Sequence, residues 1–114
     1  EIDSSKAKYA SDDGSEKGTV PVGSYSANAF GVHDTVGNVR EWVEDCWHHD
    51  YHGAPENGEA WTSGGDCTRR VLRGGSFFNL PRDLRPADRS RSGFTGVRHR
   101  NYDIGFRVAR TLSR

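Results

Sequence analysis

With 114 residues the chain has room for one domain and one core. Its 16 basic residues cancel its 16 acidic ones, which removes the net field that recruits nucleic acid or an anionic membrane surface. An apolar fraction of 32% with 14 glycines and no long amphipathic run excludes a helix bundle and fits a loop-rich fold held by short strands. No apolar run reaches the ~18–20 residues of a membrane span, and no charged-then-apolar leader is visible. The sequence has no methionine, so it is expected to be a processed form or a piece, with N-terminal sequence missing.

Residues 1–18 carry Ser, Asp, Lys and Gly with almost no apolar spacing and are expected to form a surface loop or frayed end, leaving 19–114 as the domain. Val20-Pro-Val-Gly-Ser-Tyr25 is expected to be a short extended piece, with Pro21 confining it to an edge or a strand start. Phe30 to Asp34 leads tightly into Asp34-Thr-Val-Gly-Asn-Val-Arg-Glu-Trp42. There Gly37-Asn38 tolerates positive φ and can turn the chain. Asp34 and Glu41 are hard oxygen donors, and such a turn aims carbonyls inward, so the loop has the parts of a calcium site. On spacing alone the competing reading stands beside it: a turn into a strand, with Glu41 paired to one of the arginines. Val39 to Val43 alternates as a strand.

Residues 44–69 read as a long irregular excursion rich in aromatics and imidazoles. His48, His49 and His52 with Asp50 match no common zinc spacing, and exposed loop histidines are the expected outcome. The only cysteines, Cys46 and Cys67, lie among turn formers, which suits a disulfide worth about 3 kcal/mol and an oxidising, extracytoplasmic compartment. Two unlinked buried thiols are the alternative. Arg70 to Phe78 is the clearest strand, with Gly74-Gly75 permitting a bulge or a close approach, and Ile104 to Arg110 is its counterpart, with Ile104, Phe106 and Val108 on one face. Between them Arg82, Arg85, Arg89, Arg91, Arg98 and Arg100 are expected mainly to form ion pairs with Glu41, Asp83, Asp88 and Asp103.

The order Phe30-Gly-Val-His-Asp34, Gly37-Asn-Val-Arg-Glu-Trp42, Arg70-Val-Leu-Arg-Gly-Gly-Ser76 and Gly105-Phe-Arg-Val-Ala-Arg110 resembles the C-terminal half of the formylglycine-generating enzyme (sulfatase-modifying factor) family. The resemblance runs from about Val20 to Arg110. It implies an α+β, C-type-lectin-like fold, loop-rich with short antiparallel strands, of which this chain would be the C-terminal portion. It also implies a structural calcium ion held by the carboxylates of Asp34 and Glu41 and the carbonyls of Gly37 and Val39. Arg40 stands where many relatives carry Trp, a change that looks tolerable at a surface. The paired Cys46 and Cys67 look like those of a bacterial subgroup. The family's oxidases bind copper(I) through two cysteines just after the Gly-Gly-Ser block, and soft thiolates suit that metal. The matching positions here are Asn79 and Leu84, so no copper and no catalytic residue is expected.

These readings favour a calcium-stabilised binding module that does not oxidise its ligand. Its recognition surface would lie between residues 77 and 103, using Phe77, Phe78, Asn79, Arg82, Ser90, Ser92, Phe94, Thr95, His99, Asn101, Tyr102 and Asp103. Rigid aromatics mixed with small hydrogen-bonding residues resemble a paratope. Some members of the family are variable proteins of diversity-generating retroelements, and residues 90–103 have that look. The partner would be a protein or small molecule, together with the missing N-terminal half of the domain; neither nucleic acid nor direct membrane insertion is expected. The competing classes are a sulfatase-modifying oxidase whose catalytic part lies in missing sequence, and an accessory domain attached to a kinase or surface protein.

Overall fold

The computed structural model describes residues 2–10, 18–91 and 100–112. They form short strands joined by loops. Two strands are long: β1 is Arg40–Trp47 and β2 is Asp66–Arg73. Two are minimal, β3 at Ser90–Arg91 and β4 at Ile104–Gly105. The sheet order is β3-β2-β1-β4. β1 and β2 run antiparallel, as do β2 and β3, whereas β4 joins β1 in parallel. The helical component of the α+β expectation has no α-helix to match it among the described residues; a single 3-10 turn at Pro81–Asp83 is its nearest counterpart. None of the described helices is long and apolar enough to cross a membrane.

β1 carries Trp42, Val43 and Trp47 and β2 carries Thr68 and Val71, side chains that suit a pleated strand, and the consecutive Val71 and Leu72 are both buried, so β2 is covered on both faces there. Trp42 sits opposite Leu72, and Cys46 opposite Arg70. Irregularities on either side of Cys46 change the register, and bulges of this kind bend a ribbon and strengthen its twist. The core is small: Val71 and Leu72 of β2, Cys46 of β1, and Trp61, Phe77, Leu84 and Ala7 from the connections are all buried. The irregular excursion is therefore shorter than residues 44–69, because its ends belong to the strands and only 48–65 remain outside them.

Three further expectations change. The opening segment is not merely surface: Ala7 and Lys8 are buried, and Lys8 O accepts from Asn38 N at 2.8 Å while Ala10 N donates to Asn79 O at 2.9 Å. These are backbone bonds, which is why the polar side chains gave no sign of them. Val20–Tyr25 is a turn rather than an extended piece, with Ser24 N donating to Pro21 O. The final strand ends at Gly105, and Phe106 and Val108 are 77% and 88% exposed, so their alternation does not mark a buried face. The chain leaves the sheet after pairing with only Arg40 and Glu41 of β1.

Candidate functional site

The turn ahead of β1 carries the first part of the site. Asp34, Gly37 and Asn38 all have positive φ, at 53°, 76° and 64°. Gly37 N donates to Gly74 O at 2.7 Å and Asn38 O accepts from Phe77 N at 2.9 Å, which ties this turn to the Gly-Gly corner that ends β2. Asn38 is itself buried, and its amide clamps Val20 through bonds to both Val20 N and Val20 O. Asp34, Gly37, Val39 and Glu41 line one cavity of about 580 Å³, together with Val22 and Arg107 among others. The fold thus brings the sequence-derived metal set to one place.

Arg107 sits in the same cavity. Its Nε and Nη2 donate to the two Glu41 carboxylate oxygens at 2.6 Å each, and Nη2 also donates to Asp34 O at 3.0 Å. The hydrogen bond to Glu41 is the main reason the guanidinium is held above its ordinary pKa. Asp34 Oδ2 accepts from Gly23 N at 2.7 Å. So the arginine pairing of Glu41 foreseen beside the metal reading is realised. Two carboxylates and two carbonyls are hard donors of the type calcium takes, and the residues fit that ion in kind. They are only part of its usual six to eight oxygens. A carboxylate has lone pairs for both a guanidinium and a metal.

The second part of the site is the surface after the Gly-Gly corner. Phe77, Phe78 and Tyr102 form an aromatic cluster with ring centroids 5.5–6.0 Å apart. Phe77 is buried and anchors it, while Phe78 and Tyr102 are 63% and 67% exposed. Asn101 is exposed beside them. Ser92, Phe94, Thr95 and His99 lie outside the described residues.

Other members of the expected surface are engaged elsewhere. Asn79 Oδ1 accepts from Ser76 N at 2.8 Å and lies 3.1 Å from Ser76 Oγ, and Ser76 is fully buried. Asp103 pairs with Arg40 at 2.9 Å, and both side chains are largely shielded from solvent. Arg40 is therefore a bridging residue of the sheet, where a merely surface-tolerant one was expected; its register partner Ile104 adjoins Asp103 and sets the pairing. Ser90 pairs with Leu72 in the sheet. Arg82 lies apart, in a cleft of about 1200 Å³ walled by Lys6 and Tyr9, by Asn28 and Thr35, and by Arg82 and Arg85.

Asn79 and Leu84, which the resemblance sets at the places of the family's copper-binding cysteines, both belong to the framework. Leu84 is buried, and a Cβ on Gly75 would stand 2.2 Å from Leu84 Cδ2, so leucine fills the space under the Gly-Gly corner. Asn79→Ala is expected to cost about 1–3 kcal/mol, because it removes the acceptor of a buried backbone N–H. A urea midpoint unchanged from wild type would show that Ser76 finds another partner.

The arginine-to-acid pairing expected of residues 82–100 appears in Arg85–Asp88 at 3.0 Å and more loosely in Arg82–Asp83 at 3.9 Å. Arg89 behaves differently. Its guanidinium lies 4.2 Å from the Tyr51 ring centroid and 5.2 Å from that of Trp47, a cation–π arrangement. Tyr51 Oη also donates to Ala87 O at 2.6 Å. Together they fasten the 48–65 excursion to the segment before β3. His48 stacks flat on Trp61 at 3.5 Å, and among the described residues no group of three or more His, Cys, Asp and Glu side chains is placed to hold a metal. Cys46 and Cys67 are joined in a disulfide.

With this geometry in place the likeness to known proteins is specific. The sequence model of the sulfatase-modifying factor enzyme 1-like domain matches residues 2–112, and the chain belongs to that family. Among curated relatives, a serine/threonine-protein kinase pkn1 of Chlamydia caviae is 40% identical over 111 residues, 96% of this chain and 17% of the kinase. The formylglycine-generating enzyme of Thermomonospora curvata is 37% identical over 72 residues, 54% of this chain and 21% of the enzyme. Among solved structures, PvdO from Pseudomonas aeruginosa superposes with a TM-score of 0.76 at 37% identity, covering 90% of this chain and 38% of that one. Treponema denticola variable protein 1 gives 0.64 at 31%, covering 90% and 34%. The chain thus spans about a sixth of the first curated relatives it matches and little more than a third of the solved ones.

Proposed function

We propose that this chain is a non-oxidising, calcium-stabilised binding module of the sulfatase-modifying factor family, built on a C-type-lectin-like fold. Its recognition surface lies between residues 77 and 103 and centres on Phe77, Phe78, Asn101 and Tyr102. The observation that carries the reading is the use made of Asn79 and Leu84. One accepts hydrogen bonds from Ser76 and the other fills the core, so both positions serve the framework under the surface. An amide and a hydrocarbon offer nothing to copper(I) that thiolates would. Two large aromatics left exposed on a buried aromatic base supply rigid contact area at low entropy cost. Likeness to a variable protein supports the same reading, and the mix of residues across 90–103 leads us to extend it to diversification of that segment by a retroelement. The disulfide supports an extracytoplasmic setting.

Two-dimensional NMR of the full chain against a small-molecule and peptide panel tests the surface. Shifts should gather on Phe77, Phe78, Asn101 and Tyr102, and hits that gather only in the Arg82 cleft would refute it.

Calcium would be held by Asp34 and Glu41 through carboxylates and by Gly37 and Val39 through carbonyls, with Arg107 yielding or sharing Glu41. A ligand of the folded state stabilises by about 2.7 kcal/mol at a hundredfold excess over its Kd. Chelator should therefore lower the wild-type melting temperature, and Glu41→Ala should melt at one temperature with or without chelator. A wild-type melt indifferent to chelator removes calcium from the account.

An enzymatic reading is favoured by one observation, the identity to formylglycine-generating enzymes over more than half of this chain. In it the catalytic part lies in other sequence. Copper-dependent aldehyde formation on a cysteine-containing sulfatase peptide by the intact protein would establish it over the binding module.

A further inference from the structure

We infer that the Cys46–Cys67 bridge is a site of thiol–disulfide exchange with an external dithiol, attacked at Cys67 and released at Cys46. This goes beyond the binding function and does not depend on it.

The two halves of the bridge are unlike. Cys67 is exposed near the start of β2, whereas Cys46 is fully buried on β1, where its N–H donates to Trp61 O at 3.0 Å. An incoming thiolate reaches only the Cys67 sulfur, and access decides which sulfur is attacked. The sulfur that must leave is then that of Cys46. Arg70 lies opposite Cys46 in the β1–β2 register, and its Nη1 donates to Cys46 Sγ at 3.4 Å. The same nitrogen is anchored on Glu44 O. A guanidinium beside a sulfur favours its thiolate, and a better-stabilised thiolate leaves faster.

The reduced state is equally provided for. Thr62 O lies 3.4 Å from Cys67 Sγ and 3.6 Å from Cys46 Sγ. A disulfide sulfur has no proton to give that carbonyl, while a thiol does.

The steps balance. A thiolate of the dithiol forms a bond to Cys67 Sγ, the Cys46–Cys67 bond breaks, and its electron pair passes to Cys46 Sγ beside Arg70. The second thiol of the reagent, deprotonated, then attacks its own sulfur in the mixed disulfide and expels Cys67 as thiolate. The protein gains two electrons and, from solvent, the protons its thiolates take up; the dithiol becomes a cyclic disulfide. Opening removes the covalent tie at the base of the 48–65 excursion, which the Tyr51–Arg89 stack and the bonds of Trp61 to Cys46 and Asp45 still hold.

Limiting glutathione, acid quench and peptide mass spectrometry of the full chain should find the mixed disulfide on Cys67 with Cys46 free. An adduct mainly on Cys46 overturns the inference. Reduction by dithiothreitol should rise linearly with its concentration, and a rate that levels off at the rate of unfolding also overturns it. Arg70→Gln should slow reduction by about threefold or more, and Arg70→Lys should restore most of the rate, as expected for a charge acting on the leaving sulfur. If both variants instead speed reduction, Arg70 only packs the loop and the assignment fails.

Discussion

Replacing Gly37 with alanine is expected to destabilise the fold by more than about 3 kcal/mol, a large share of the roughly 5–15 kcal/mol that holds a domain together. Gly37 has a φ of 76°, and a Cβ built there would lie 2.2 Å from the carbonyl oxygen of Lys8. That atom is backbone, so no side-chain rotation relieves the contact. Moving it breaks the Asn38 N–H bond to Lys8 O, and the shift strains the Gly37 bond to Gly74 O at the other side of the turn. Left-handed backbone alone costs an L-residue about 1–2 kcal/mol, and each buried backbone group left unpaired adds about 1–3. Gly58 separates the two contributions, since its φ is 79° and nothing lies within 4 Å of the place a Cβ would take. Gly58→Ala should therefore lose only about 1 kcal/mol by urea denaturation. Equal losses at the two glycines would mean that the opening segment does not dock as described.

The second large effect should follow removal of the bridge. Cys46→Ala with Cys67→Ser is expected to lower stability by about 3 kcal/mol, from a loop of sequence separation 21, and the melting temperature by about 10 °C. The burial of Cys46 adds to this, because the space it fills lies between the two long strands. Wild type under strong reductant should fall by nearly as much. A loss below about 1 kcal/mol in both would show that the Tyr51–Arg89 stack and the β1–β2 ladder hold the excursion without the bridge.

Much of what frames the site is written locally in the chain. The Gly37-Asn38 pair announces its left-handed turn, and Gly74-Gly75 announces the corner that ends β2. The cysteines announce the bridge. The cavity shared by Asp34, Gly37, Val39 and Glu41 follows from a short segment with its own geometry. What escaped depends on distant partners. Nothing near Glu41 names Arg107 as its mate across 66 positions, and nothing near Arg40 marks it for Asp103 across 63. Of the arginines that looked poised for these acids, Arg85 pairs with Asp88 and Arg89 stacks on Tyr51 instead. Alternation misled at Phe106 and Val108, since period two shows which side chains share a face and says nothing of what covers it.

Those same long-range pairs order events as the chain is made. β1 and β2 can zip together once residue 73 is available, but the acids and bases flanking β1 stay mismatched until residues 103–107 arrive. Until then Arg40 and Glu41 lack their partners, and the side of β1 that β4 will occupy stands open. Contacts this remote in sequence are slow to close, so a nascent chain should expose that strand edge to its surroundings for longer than its size alone implies.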